Sequence, residues 1–258
     1  MVYNIKKSGG INMKILAHRG IHLNALENSL ESFEIAAQAD VSGVELDIRL
    51  TADNEVVVFH DEDLKRLFEN DSKIASLTLD ELNEITESEG VTVPRLSKVF
   101  DLMLKEKIIN VEIKEMKVVQ PLIEMLKNDH ISLDNLIFSS FIHESLLEVR
   151  RAFNEAKIGL LIGEDAQKSD NPLEYLLKRV MEYKPYSLHL PVQAFAIFPK
   201  DMLLDQLNQL KVKSGLKYAW WTVNNEEEAA LLLKNGTISD YIITDNTELI
   251  NRMNFERE

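Results

Sequence analysis

Two periodicities alternate along this chain. Short apolar runs of five to eight residues, several with polar side chains at every second position, give way to longer stretches where apolar residues return every three or four positions. The first pattern predicts strands at KILAH (14–18), GVELDIRL (43–50), IINVEIK (108–114), NLIFSS (135–140), KIGLLIG (157–163), YSLHL (186–190), KYAWWTV (217–223) and DYIIT (240–244). The second predicts amphipathic helices over roughly 28–39, 96–106, 118–129, 143–154, 171–183, 199–212, 225–234 and 246–253. Helix starts are signalled by Asn28 before SLESFEIAA and by Asn171-Pro172 before LEYLLKRVM, since proline suits a first helical turn. The acidic run Glu226 to Glu228 suits another first turn, where negative charge meets the positive end of the helix dipole.

Eight strand–helix units follow one another over about 245 residues, without a composition break or a low-complexity linker. This predicts one α/β domain, a (β/α)8 TIM barrel, in preference to an open sheet. Residues 1–12 contain Gly9 and Gly10, precede Met13 of MKILAHRG, and read as a flexible N-terminal extension, leaving 13–258 for the barrel domain. The segment from about 51 to 95 does not fit a simple unit. NEVVVFHD reads as a strand reached by a tight turn at Asp53-Asn54, and TLDELNEITES as a short helix. Together they predict a small insertion between the second and third barrel strands.

In a parallel barrel one strand face packs under the helices and the other fills the interior. Val44, Leu46, Ile48 and Leu50 suit the helix layer, which turns Glu45, Asp47 and Arg49 inward. The third strand repeats the pattern, with Ile109, Val111 and Ile113 on one face and Asn110, Glu112 and Lys114 on the other. Three carboxylates, Glu45, Asp47 and Glu112, then converge where ionised groups are costly unless compensated. The chain has no cysteine and the cluster no histidine, so the ligands on offer are oxygens, which suit a hard divalent cation, Mg²⁺ or Ca²⁺, with Mn²⁺ a further candidate. For a single Glu-x-Asp pair, a salt-bridge network with Arg49 and Lys114 is the plainer alternative; the same inward pattern on two strands reverses that ranking.

Of the six histidines, His18 ends the first strand and His60 ends the hairpin strand, where a barrel keeps its catalytic groups. Such a pair can act as general base and general acid. His22, His130 and His143 read as core or rim residues making one hydrogen bond each, while His189 on the sixth strand fits either role. Arg19 and Lys114 supply fixed positive charge for an anion. Trp221, inward with Ala219 and Val223 by alternation, would form an apolar wall for a substrate, and Trp220 on the other face would fill the core.

Charge narrows the partners. A net charge of −14 argues against nonspecific binding to nucleic acid or to anionic lipid, so a small molecule is the expected partner. No apolar run approaches the roughly 18 residues of a membrane span, and the N-terminus lacks the apolar stretch of a signal peptide. The chain reads as cytoplasmic with no stable membrane association; a homodimer is compatible with it. No P-loop, GxGxxG, GxSxG or HExxH motif is present, which removes the commonest NTPase, dinucleotide, serine-hydrolase and zinc-protease readings.

At these residues the chain resembles the glycerophosphodiester phosphodiesterase family, whose motifs stand here in family order as HRG (18–20), ENS (27–29), ELD (45–47), HD (60–61), EIK (112–114), SSF (139–141), WTVN (221–224) and ITD (243–245). The resemblance implies a phospholipase-C-like barrel that hydrolyses glycerophosphodiesters, such as glycerophosphocholine or glycerophosphoethanolamine, to glycerol 3-phosphate and an alcohol. It also implies His18 and His60 as the acid–base pair, Glu45, Asp47 and Glu112 as ligands of one divalent cation, and Arg19 and Lys114 as phosphate contacts. The implied nucleophile is the glycerol hydroxyl beside the phosphate, giving a cyclic phosphate that water opens. Leu26, Ser29, Asn54 and Arg95 depart from the residues usual at their places, and none is an implied proton-transfer or metal position.

Two other readings share the barrel. A phospholipase acting on membrane lipids would need an apolar loop or basic face, for which AFAIF (194–198) is the only sign. A catalytically silent binding protein would have no need to keep both histidines and all three carboxylates.

Overall fold

Eight parallel strands close on themselves in the computed structural model, which describes residues 13–249 except 170, 198 and 199, together with residue 252. The extension read over 1–12 and the end of the last helix, beyond 249, lie outside the described residues apart from 252. The strands are β1 (Lys14–His18), β2 (Gly43–Leu50), β3 (Val56–Val58), β4 (Ile108–Ile113), β5 (Leu136–Ser140), β6 (Ile158–Leu161), β7 (Ser187–Pro191), β8 (Lys217–Trp221) and β9 (Tyr241–Thr244). Around the barrel the order is β1, β2, β4, β5, β6, β7, β8, β9 and back to β1, every pairing parallel. β3 lies outside this circle, antiparallel to β2. This is a (β/α)8 barrel.

Each barrel strand up to β8 is followed by a helix on the outside: Leu30–Gln38, Leu96–Met103, Val119–Asn128, His143–Ala152, Pro172–Tyr183, Lys200–Ser214 and Glu226–Lys234. Asn171 and Asn225 cap theirs by accepting from Glu174 N and Glu228 N. The first helix differs from its sequence signal. Ser29, not Asn28, is its cap and accepts from Ser32 N, because Asn28 takes a left-handed φ of 58° and sends its side chain inward.

Alternation holds on β2 and β4. Val44, Leu46, Ile48 and Leu50 and then Ile109, Val111 and Ile113 sit in the core beneath the helices with Phe33, Phe138 and Trp220. Each aliphatic side chain fully buried there stabilises the fold by about 1.5–3 kcal/mol. The interior is filled by a smaller cluster of Leu16, Ile137, Ala219, Tyr241 and Ile243, against which Trp221 packs. Val223 does not continue the inward face of β8. That strand ends at Trp221, the period-two reading stops with it, and Val223 joins the core beneath the helices.

Between β2 and β4 the chain makes a small unit with its own core of Val57, Phe59, Leu64, Ile74, Leu79, Leu82 and Val93. Its entry turn places Asn54 at φ 64°, and its helix Leu79–Glu87 starts with a reciprocal Thr78–Glu81 capping box. Two residues of the apolar AFAIF stretch are packed inward, Phe195 stacking on Trp220 with centroids 4.5 Å apart and Ala194 being buried, while Ala196 is exposed and residue 198 lies outside the described residues. No helix among the described residues is long and apolar enough to cross a membrane.

Candidate active site

Register brings the polar inward residues together at the C-terminal ends of the strands. His18 pairs across from Glu45, and Asp47 across from Glu112. One oxygen from each of Glu45, Asp47 and Glu112 lies within 4.8 Å of the others, and all three residues are buried. Asp47 is well compensated: Lys114 Nζ stands 3.1 Å away, Arg19 Nε 3.2 Å away, and Asn28 Nδ2 donates to it at 2.9 Å. Glu112 has Lys114 Nζ at 2.6 Å. Glu45 is the exception. Its Oε2 is buried without a hydrogen-bond partner, and the nearest base is His18 Nε2 at 3.8 Å.

The charges follow from these contacts. Burial works against the Asp47 carboxylate, but Lys114 and Arg19 outweigh it and hold the group at about 2. Burial, with Asp47 beside it, pushes Glu112 up to about 7, and burial with Asp47 and Glu112 pushes Glu45 well above the carboxylate range. Two cationic side chains thus face three carboxylates, and one buried carboxylate oxygen is left over. A divalent cation fits that deficit, since it needs oxygen ligands and gives Glu45 the partner it lacks. Arg49 takes no part in the compensation. Beyond Asp47 it stands at the rim beside β3, where its Nε donates to the His60 carbonyl at 2.9 Å.

Local backbone explains where Arg19 points. It follows β1 with a left-handed φ of 55°, its N–H donates to the Glu45 carbonyl at 2.8 Å, and its NH1 donates to Glu27 at 2.7 Å. Gly20 makes the turn possible, because its φ is 81° and a Cβ there would meet Ser32 Oγ at 2.3 Å.

Each histidine of the expected pair is held through Nδ1 by a carboxylate. His18 Nδ1 lies 2.7 Å from Asp245 Oδ1, and His60 Nδ1 lies 2.7 Å from Asp61 Oδ1. A carboxylate only accepts, so each Nδ1 carries hydrogen and each neutral ring keeps its lone pair on Nε2. Burial lowers the pKa of His60, which favours the neutral ring. Asp245 also takes His22 Nε2 at 3.1 Å and Asn224 Nδ2 at 2.7 Å, and the two imidazoles hold its pKa far below the usual range against the effect of burial.

Trp221 closes the β8 side, its ring edge-on to Phe141 at 5.8 Å, beside a cavity of about 510 Å³ that Tyr175, Pro191 and Gln193 also line. His189 is buried in the barrel, 2.9 Å from Ser187 Oγ, and burial depresses its pKa to about 3. His143 makes its one hydrogen bond to the Leu161 carbonyl. Glu27, Asp61, Asp245, Asn28 and Arg66 were not singled out by residue type. The signal that could have found four of them is their place in the family motifs ENS, HD and ITD.

The sequence model of the Glycerophosphoryl diester phosphodiesterase family matches residues 18–249. The chain belongs to this family. It is accordingly an enzyme of phosphoric diester hydrolysis. A glycerophosphodiester phosphodiesterase of Caldanaerobacter subterraneus subsp. tengcongensis is 31% identical over 250 residues, covering 92% of this chain and 95% of that one. The crystal structure of a family member from Thermotoga maritima superposes with a TM-score of 0.79 at 38% identity, over 96% of this chain and all (100%) of that one. An Oleispira antarctica phosphodiesterase, solved with the product sn-glycerol-3-phosphate, gives 0.77 at 26% identity, over 94% and 96% of the two chains.

Proposed function

We propose that this chain hydrolyses small glycerophosphodiesters, such as glycerophosphocholine or glycerophosphoethanolamine, to glycerol 3-phosphate and the free alcohol, and that it requires one divalent cation. The observation that carries this reading is the buried trio of Glu45, Asp47 and Glu112 with its unpartnered Glu45 oxygen, flanked by two imidazoles whose Nδ1 atoms are tied to carboxylates. The trio would hold Mg²⁺, Ca²⁺ or Mn²⁺, which when bound supplies Lewis-acid neutralisation of the phosphate oxygens.

The chain's own residues do the rest. Arg19 and Lys114 bind the phosphate and offset the charge that shifts as it reacts. His60, neutral and with Nε2 free, takes the proton of the glycerol hydroxyl next to the phosphate. That oxygen bonds to phosphorus, the bond from phosphorus to the alcohol oxygen breaks, and His18 delivers a proton to the departing alcohol while Asp245 stabilises its imidazolium form. Water then opens the cyclic phosphate with the two histidines in exchanged roles. Trp221 and Phe141 form an apolar wall beside the reacting centre. The net charge and the absence of a long apolar helix among the described residues suit a soluble substrate and a cytoplasmic place.

The test is release of glycerol 3-phosphate from a panel of glycerophosphodiesters with Mg²⁺, Ca²⁺ and Mn²⁺ in turn. EDTA should stop it, and His18→Ala and His60→Ala should each lower kcat by about 10² to 10⁴. No release under any of these conditions refutes the reading.

A further inference from the structure

His60 belongs to the small unit between β2 and β4, whose core is separate from that of the barrel. Arg19 belongs to the barrel's first loop. One side chain joins them. Arg66, on the short helix Lys65–Phe68 of the small unit, donates from Nε to Asp61 Oδ2 at 2.6 Å and from its two terminal nitrogens to Glu27 at 3.1 and 2.5 Å. The other oxygen of Asp61 holds His60 Nδ1 at 2.7 Å, and Glu27 Oε1 also receives Arg19 NH1 at 2.7 Å. A line of hydrogen bonds therefore runs from His60 through Asp61, Arg66 and Glu27 to Arg19, whose Nε forms an ion pair with Asp47 at 3.2 Å.

A guanidinium suits this place because its N–H groups form a rigid fork that can serve two carboxylates at once. An ammonium group would hold one of them well. The Arg66 side chain is 46% exposed, whereas Glu27 and Asp61 are 15% and 21% exposed. Exposed ion pairs add little to stability, so the value of this contact lies in what it orients.

We propose that Arg66 is a positioning residue that fixes the His60 imidazole and the Arg19 guanidinium in one register, making the small unit a working part of the site. This rests on the reading that His60 transfers a proton and Arg19 binds phosphate. Partners behind first-contact groups commonly matter by about 10- to 100-fold, and Arg66→Gln should lower kcat/KM by roughly that factor. The loss should be split, with kcat falling through His60 and KM rising through Arg19. Arg66→Lys should recover only part of it. Binding of glycerol 3-phosphate alone, measured by calorimetry, should weaken in Arg66→Gln, and nitrogen NMR of His60 should show its proton no longer confined to Nδ1.

The control is Arg95→Gln, which breaks an ion pair with Glu55 at 2.9 Å elsewhere in the same unit and should leave kinetics unchanged. If Arg66→Gln does not fold, Arg66→Lys keeps the charge and carries the same comparison. Kinetics and product affinity within about threefold of the parent chain, or equal damage from Arg95→Gln, would overturn the proposal. An inactive parent chain would instead sink the catalytic reading on which it depends.

Discussion

Asp245→Asn isolates the tautomer argument. Asp245 Oδ1 accepts from His18 Nδ1 at 2.7 Å, which leaves His18 Nε2 free on the side of Glu45. An asparagine amide could donate to Nδ1 instead, and the ring would then carry its proton on Nε2. Two losses follow. A hydrogen bond to a charged group is worth about 1.5–3 kcal/mol, and with the Asp245 side chain 34% exposed the lower figure applies, a factor of about ten. The wrong tautomer also removes proton transfer itself, worth about 10² to 10⁴. The expected result is a fall in kcat of about 10² or more with little change in KM, since Asp245 faces neither the phosphate contacts nor the acidic trio. Cation affinity should be unchanged. Steady-state release of glycerol 3-phosphate, beside His18→Ala as the floor, measures this, and a kcat within about threefold of the parent would refute the reasoning.

The acidic trio makes stability depend on pH with a definite sign. Glu112 is pushed up to about 7 from an ordinary 4.5, and Glu45 is also raised, so between those values the cation-free folded chain holds protons that the unfolded chain has released. Their contribution to stability therefore falls as pH rises from 4.5 through about 7, while cation affinity, which needs the ionised carboxylates, rises over the same window. Thermal melts in EDTA and with Mg²⁺ across that range check both slopes, and parallel curves would contradict them. Gly159→Ala should destabilise by about 1–3 kcal/mol, because a Cβ there would meet His189 Nε2 at 2.3 Å and Ser187 Oγ at 2.9 Å; an unchanged denaturation midpoint would show that the interior can yield.

The barrel was legible because both strand faces are buried while one of them is polar. On β2 and β4 that contrast assigned each residue to a side, and the period of two held over Gly43–Leu50 and Ile108–Ile113. It failed where the strand stopped, as at Val223. It also could not show that Asn28 leaves its capping place to reach Asp47, since that depends on a left-handed backbone set by the neighbouring loop. Glu27, Asp61, Arg66 and Asp245 were invisible to periodicity for a related reason. Three come from loops and Arg66 from a four-residue helix, and their meaning lies in contacts across 39 residues for Arg66 with Glu27 and 227 for His18 with Asp245. Arg49 bears on the salt-bridge alternative. Alternation puts it on the face of Glu45 and Asp47, but the loop after β3 gives it the His60 carbonyl to hold, and it joins no salt bridge with the trio.

Calorimetric titration of the EDTA-stripped chain with Mg²⁺, Ca²⁺ and Mn²⁺ tests most directly whether the acidic trio is a cation site. The account predicts one saturable site per chain for at least one of these ions, lost when Glu45→Gln and Glu112→Gln are combined, together with loss of hydrolysis. An absence of binding by the parent chain, with glycerol 3-phosphate still released at full rate in EDTA, would contradict it.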